Sequence, residues 1–509
     1  MTDSAWSVWL DRFFDAYYAR NPVNATFIGV HRYDDRLPDW SREAREAEAR
    51  ALLASMPADA VGLDAELARG YLEIAAWEAT SAQYGWGNPS LYTGEAVFGL
   101  LSLLVRPFAA LDARLHSAGE RLRAVPSFFR DAERILHDAP RAWCERARRE
   151  CAGARLLLER GLPQLVDDRA QLRAAEEAWA AFARFDAFIE TELLPRSTEV
   201  YACGAEAFDL LLKRAHFFEF SAEELEQLAL ECLARDSSSV VARSDVFEGG
   251  LRGFEDLWRD SVELAERRDL LTYPDWPVHY VEQPAWLRES APYFYFLPYR
   301  APAVFDQVDV VEYVVPPGPI DTATVKLNHV VHHGSLGHHL QNWHARRAES
   351  RIGQIAAVDC ASRIAMLCGG SIAEGWACYA TDLADEAGFL TESERAVQRA
   401  AHRRMAARAV VDVRLHRDSM TLDDAARFYE QRAGMSAQAA RAEAVKNSLH
   451  PGAACMYLIG WNSIRQLRAE LRPPSLRAFH DQLLSFGSVP LSLISRAMRE
   501  RKPYVLASP

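Results

Sequence analysis

Long apolar runs are missing from this chain. No stretch of about 18 or more uninterrupted apolar residues occurs in its 509 residues, which excludes an ordinary membrane-spanning helix and argues against a membrane partner. Clustered positive charge is missing too. The formal net charge is -13, and the arginines of residues 252–260 and 392–404 alternate with acids. That pattern reads as solvated helix faces, and it excludes a phosphate-backbone binder, whose affinity comes from clustered Lys and Arg. No nucleic-acid partner is expected. Paired cysteine motifs are lacking as well. The 8 cysteines include no Cys-x-x-Cys; Cys144 and Cys151 lie two helical turns apart, and Cys360, Cys368 and Cys378 sit in apolar helical contexts. They read as reduced and mostly buried. Residues 1–9 carry Asp3 and no basic segment leading into an apolar run, so no secretory signal is read there. Together these features predict a cytoplasmic protein. Internal repeats and low-complexity tracts are absent.

What is present fits a large globular core, with 49% hydrophobic and 25% charged residues. Helical spacing runs through Trp6, Trp9, Leu10, Phe13 and Phe14 until Asn21-Pro22 breaks it. Ala/Leu/Glu/Arg-rich segments at 43–55, 64–79, 109–124, 141–160 and 171–194 predict further helices. Pro126, Pro140, Pro163 and Pro195 mark their expected boundaries. Ser221-Ala-Glu-Glu224 is a capping box for a helix reaching about Arg235. Residues 271–319 differ: proline and aromatics alternate, and β-branched residues gather at 308–315, predicting loops and a small sheet. Helical patterns resume at Thr324. The expected class is mainly α, a large multi-helix fold with a small β element. A single integrated domain over 1–509 is expected, with a weak boundary near His216 separating a helical part (1–215) from the part holding the chemistry (216–509).

Six of the 15 histidines fall within residues 327–345: His329, His332, His333, His338, His339 and His344. Imidazole is the commonest biological metal ligand and suits zinc, iron, nickel and copper. In a straight helix the two ends of His332-His-Gly-Ser-Leu-Gly-His-His339 would stand roughly 9–10 Å apart, too far for one ion. Gly334 and Gly337 permit the distortion that joint ligation requires. A further ligand is expected from the next helix. Glu374 is an acid in the otherwise apolar stretch 364–380, and a buried lone carboxylate is costly unless paired or bound to a metal. Two histidines and a glutamate form a catalytic zinc set with one position left for water or substrate. The bland alternative is a group of core histidines satisfied by backbone, with Glu374 paired to an arginine.

These residues resemble domain of unknown function 885, a widespread bacterial family whose resemblance implies a zinc metallopeptidase or hydrolase. The family's His-Glu-Ala-x-Pro-Gly-His-His-Leu-Gln corresponds to His332-His-Gly-Ser-Leu-Gly-His-His-Leu-Gln341. Its Glu-Gly-Trp-Ala-x-Tyr corresponds to Glu374-Gly-Trp-Ala-Cys-Tyr379, its Asp-x-x-x-His to Asp412-Val-Arg-Leu-His416, and its Pro-Gly-x-x-x-x-Tyr-x-x-Gly to the run from Pro451 through Tyr457 to Gly460. Asn21-Pro-Val-Asn-Ala-Thr-Phe-Ile-Gly29, Tyr33-Asp-Asp and the segment from Phe479 to Leu491 extend the likeness over nearly the whole chain. The resemblance implies that His332, Glu374 and one of His338 and His339 hold Zn2+, with iron or another transition metal also compatible.

Two departures matter. His333 stands where the family has the glutamate that acts as general base in His-Glu peptidases, and Ala453 stands where glutamine is usual. An imidazole beside a cation is driven toward neutrality, so it can accept a proton but serves poorly as the acid that expels an amine. His333, Tyr457 and His416 are the candidate catalytic residues: Tyr457 as an oxyanion donor, His416 paired to Asp412 at i+4 to orient a ligand. His450 and the aromatic wall of residues 293–299 are further candidates. The leading expectation is a metal-dependent hydrolase-like enzyme with an altered site, acting on a carbonyl-containing small molecule or a modified peptide. Its competitors are a zinc peptidase using His333 as base and an inert binding protein on a metalloprotease scaffold.

Overall fold

A computed structural model describes all residues except 1–4, 41, 82–83, 85–86, 236–244, 295–297, 307–310, 357–368 and 501–509. Cys360, Cys368 and the centre of the expected aromatic wall (Tyr295, Phe296, Leu297) lie outside the described residues. The chain is mainly α-helical with one small sheet.

The amphipathic segments form helices close to their expected bounds. The first runs Ala5–Arg20 and buries Trp9, Leu10, Phe13 and Phe14. Its apolar face joins a core that also holds Trp376, Leu483 and Ile494, so the two ends of the chain share one interior. Ser221 and Glu224 make the reciprocal capping bonds read from sequence and open the helix Ala222–Arg235. Pro126 is a correction. It lies inside the helix Leu111–Ile135 rather than ending one. Interior proline costs about 3 kcal/mol. Leu115, Leu122, Val125, Phe128 and Phe129 bury along that helix, and each fully buried side chain of this size returns about 1.5–3 kcal/mol. Packing therefore wins. The helix Pro89–Leu104 was not anticipated, because it is apolar on nearly every side and shows no stripe.

The sheet occupies the loop-rich region. β1 (Val278–Glu282) pairs in parallel with β3 (Val311–Val315), and the short β2 (Tyr299–Arg300) pairs antiparallel with the other edge of β3. Tyr313 on β3 carries the sheet's contact with the histidine segment, its hydroxyl lying 2.7 Å from His329 Nδ1.

Two close approaches fix the helices behind the site. The helices Gly370–Ala387 and Met456–Leu471 cross at Gly375 and Gly460, where a methyl group on Gly460 would lie 1.9 Å from the Ser371 carbonyl oxygen. Only glycine fits there, and the crossing sets Glu374 and Tyr457 on neighbouring helices. Trp376 donates its indole N–H to the Leu336 carbonyl at 2.8 Å, tying the acid-bearing helix to the histidine segment.

His31 clamps the N-terminal segment to the loop near Asp306. Its Nδ1 lies 2.8 Å from Asp34 and its Nε2 2.8 Å from Asp306. Burial alone would lower its pKa, but the hydrogen bonds to Asp306 and then Asp34 raise it to about 9. The protonated clamp stabilises the fold fully below the ordinary histidine range and is lost as pH rises through about 9. The ring is partly open to solvent, which reduces its worth to about 1–2 kcal/mol. Chemical denaturation from pH 6 to pH 10 should show that loss in the parent and not in His31→Gln.

Candidate metal centre

The histidine segment is not a regular helix. Val325–His332 winds wide, with the His333 N–H donating to the Asn328 carbonyl at 2.9 Å, five residues back. The turn that follows repeats this, with the His339 N–H bonded to the Gly334 carbonyl at 3.1 Å. Between them the chain kinks at Gly337 (φ -90, ψ -115). A methyl group on Gly337 would stand 2.0 Å from the His332 carbonyl oxygen and 2.6 Å from that of Val331. Glycine is thus required by contact at a position where the sequence reading only permits a distortion, and the kink folds the far end of the motif back onto the near end.

The result is convergence. One ring nitrogen each from His332, His333 and His338 lies within 4.8 Å of the others. Glu374 Oε2 stands 3.2 Å from His332 Nε2 and 3.7 Å from His338 Nε2. His338 is 0% exposed and Glu374 4%. Burial alone would raise the Glu374 carboxyl. The hydrogen bond with His332 and the nearby His338 and His333 outweigh it and hold the acid below the usual carboxylate range. Burial, with His332 and His338 beside it, pushes His333 well below the ordinary histidine value, so it is neutral. The arginine partner of the bland alternative is not there: among the described residues Glu374 pairs with His332 and His338. A tetrahedral zinc with bonds of about 2.0–2.1 Å sets its ligand atoms roughly 3.3–3.4 Å apart. The Glu374 separations fall on either side of that spacing, so this carboxylate is spaced to share an ion with either histidine.

His339 does not join them. Neighbouring residues on a helix point about 100° apart, so when His338 faces His332 its neighbour faces away. His339 is buried against Trp258 and Trp276, its Nδ1 3.1 Å from the Tyr299 hydroxyl, and burial lowers it to about 3. The sequence left His338 and His339 open; geometry selects His338. His329 stands one layer back, bonded to Tyr313 and lowered by burial to about 4.

His416 is also corrected. It lines no part of the cavity beside the histidines. The Asp412 pairing exists, at 3.5 Å, but both groups are fully buried, and His416 Nε2 and Nδ1 reach the Asn447 carbonyl and the Tyr84 hydroxyl. Asp412 receives the backbone N–H groups of Gly452 and Cys455 at 3.1 and 2.9 Å, and burial raises it to about 7. The pair shapes the turn before Tyr457 rather than orienting a ligand. His450 lines a separate, much smaller pocket.

Tyr457 does face the site. It lines a cavity of about 740 Å³ together with His332, His333 and Glu374. One wall of that cavity is apolar, with Phe294, Pro298, Val314 and Leu327. The lining also includes the cations Arg404, Arg408 and Lys446. Arg404 and Arg408 were missed, because interleaved charge on the helix Glu392–His416 reads as a solvated face when its neighbours are unknown.

Among solved structures, the chain is similar to a proposed lipoprotein of unknown function from Shewanella oneidensis. The two share 18% identity and a TM-score of 0.72, over 98% of this chain and 100% of that one. It is also similar to a proposed lipoprotein from Colwellia psychrerythraea, with 18% identity, a TM-score of 0.68, and coverage of 97% and 99%. No curated protein matches. The cytoplasmic expectation does not stand against those two descriptions and is withdrawn. Among the described residues Cys144, Cys151, Cys203, Cys232, Cys378 and Cys455 are free. Among the described residues no helix is long and apolar enough to cross a membrane. The family model described as bacterial protein of unknown function (DUF885) matches residues 22–256 and 271–498, and the chain belongs to that family.

Proposed function

We propose that this chain is a zinc-dependent, hydrolase-like enzyme with an altered active site, acting on a carbonyl-containing small molecule or a modified peptide. The observation that supports this is the convergence of His332, His338 and Glu374, two nitrogens and one carboxylate oxygen at ligand spacing, beside a cavity large enough for a small substrate. Zinc held there would supply Lewis-acid polarisation of a carbonyl and acidify a water.

The remaining work belongs to the side chains. Glu374 brings the negative charge of the ligand set. His333, neutral beside the ligands, takes the proton of an attacking water. Tyr457 on the cavity wall donates to the developing oxyanion. Burial and the neighbouring histidines keep His333 neutral, so it is no standing acid for a group, such as an amine, that must be protonated to leave. Esters and other acyl groups with good leaving groups are therefore the preferred class, ahead of ordinary peptide bonds.

Hydrolysis of an activated ester and of an internal peptide amide by tag-free protein tests this. The ester should be cleaved in a chelator-sensitive way, and His333→Ala should lower that rate about 100-fold or more, the lower end of general-base contributions. His333→Glu should gain amide cleavage. Amide cleavage by the parent at the ester's rate would refute the altered chemistry, and turnover untouched by chelation would refute the metal.

A further inference from the structure

The cationic lining of the cavity contains more positive charge than its acids balance. Arg404 and Arg408 lie one turn apart on the helix Glu392–His416, and both line the cavity. Arg408 is committed. Its Nε donates to Glu443 Oε1 at 2.5 Å, and its guanidinium lies 4.7 Å from the centre of the Tyr457 ring. Glu443 is the acid that the Arg404 charge also feels, and Arg408 already holds it. Among the described residues Arg404 makes no hydrogen bond or ion pair of its own.

Arg404 is exposed and lines the cavity, with the like charge of Arg408 one turn away on the same helix. A guanidinium presents a planar fork of donors matched to a carboxylate. Beside a second cation and without an anion of its own, it is disposed to take up a bound anion, whose charge would offset that of Arg408. The other cations differ. Lys446 lies beside Glu443, and Arg288 lines the cavity from a different element, the short helix Ala285–Arg288.

We propose that Arg404 is the anchor for a substrate carboxylate, so that the enzyme takes acyl compounds or modified peptides that carry a free carboxyl end. The neighbouring carbonyl is then presented to His332, His338 and Glu374, and the acyl portion lies along Phe294, Pro298, Val314 and Leu327. This rests on the hydrolase-like reading for its orientation, but the anchoring itself does not need the metal.

Calorimetric titration of the full chain, zinc-loaded and after chelation, separates the two. N-benzoylglycine should bind at least about tenfold more tightly than its neutral amide, N-benzoylglycinamide, in both states, a difference of about 1.4 kcal/mol. Arg404→Gln should erase the preference, and Arg288→Gln should keep it. A blocked tetrapeptide with a free carboxyl end, compared with its amidated form, tells which source is preferred: a larger effect there identifies a peptide terminus, a larger effect with N-benzoylglycine an acyl amino acid. Equal binding of acid and amide by the parent would overturn the proposal, as would no binding of the acid, or a preference that survives Arg404→Gln. A preference seen only with zinc and untouched by Arg404→Gln would place the carboxylate on the metal, leaving the hydrolase-like reading intact. A preference that depends on Arg404 in protein unable to bind zinc would keep the anchor and remove the enzyme.

Discussion

Gly337→Ala should destabilise the protein by more than about 3 kcal/mol, at the upper end of single-residue effects. The added methyl has no space: the His332 carbonyl oxygen stands 2.0 Å from its position and that of Val331 2.6 Å. Both are backbone atoms that cannot rotate aside, so the kink itself must open. Opening it carries His338 away from His332, and metal retention should fall with stability. Gly94 provides the opposite sign on the same chemistry. It lies within the helix Pro89–Leu104 with nothing near its missing side chain, so Gly94→Ala should leave stability unchanged or raise it by about 0.5–1 kcal/mol. Urea unfolding of both variants checks the pair. A cost below about 1 kcal/mol for Gly337→Ala would mean the kink does not bind the two ends of the motif as described.

The second large effect separates two adjacent histidines. His338→Ala should lower zinc affinity by more than about 100-fold, the most that loss of an outer-shell partner usually costs. His339→Ala should keep one zinc per chain while weakening the fold, because it empties space between Trp258 and Trp276. Glu374→Gln should resemble His338→Ala, since it removes the acceptor that faces both histidines. Competition with a chromogenic chelator measures each. Zinc lost from His339→Ala and retained by His338→Ala would reverse the assignment.

How far the sequence speaks differs from place to place. Trp9, Phe13 and the Ser221 cap were legible because one local pattern dictates each of them. That joint ligation needs a distortion at Gly334 or Gly337 was legible from bond lengths, since no straight helix joins His332 to His338; the steric demand for glycine at 337 was not. The choice between His338 and His339 was not, because it depends on the rotation that the kink imposes. Pro126 misled, since local cost was judged without the buried face that offsets it. His416 misled for a related reason. An acid and an imidazole one turn apart look alike whether they face a metal or, as here, the turn ahead of Tyr457. Arg404 was invisible as a site residue, since the carboxylate that would reveal it is held by Arg408.

Anomalous diffraction at the zinc edge, from crystals of tag-free protein grown with zinc, addresses the central claim most directly. A single strong peak is expected within about 2.0–2.2 Å of nitrogen atoms of His332 and His338 and of a Glu374 oxygen. No peak among these three side chains at full zinc occupancy elsewhere, or a peak held by His339 instead, would contradict it.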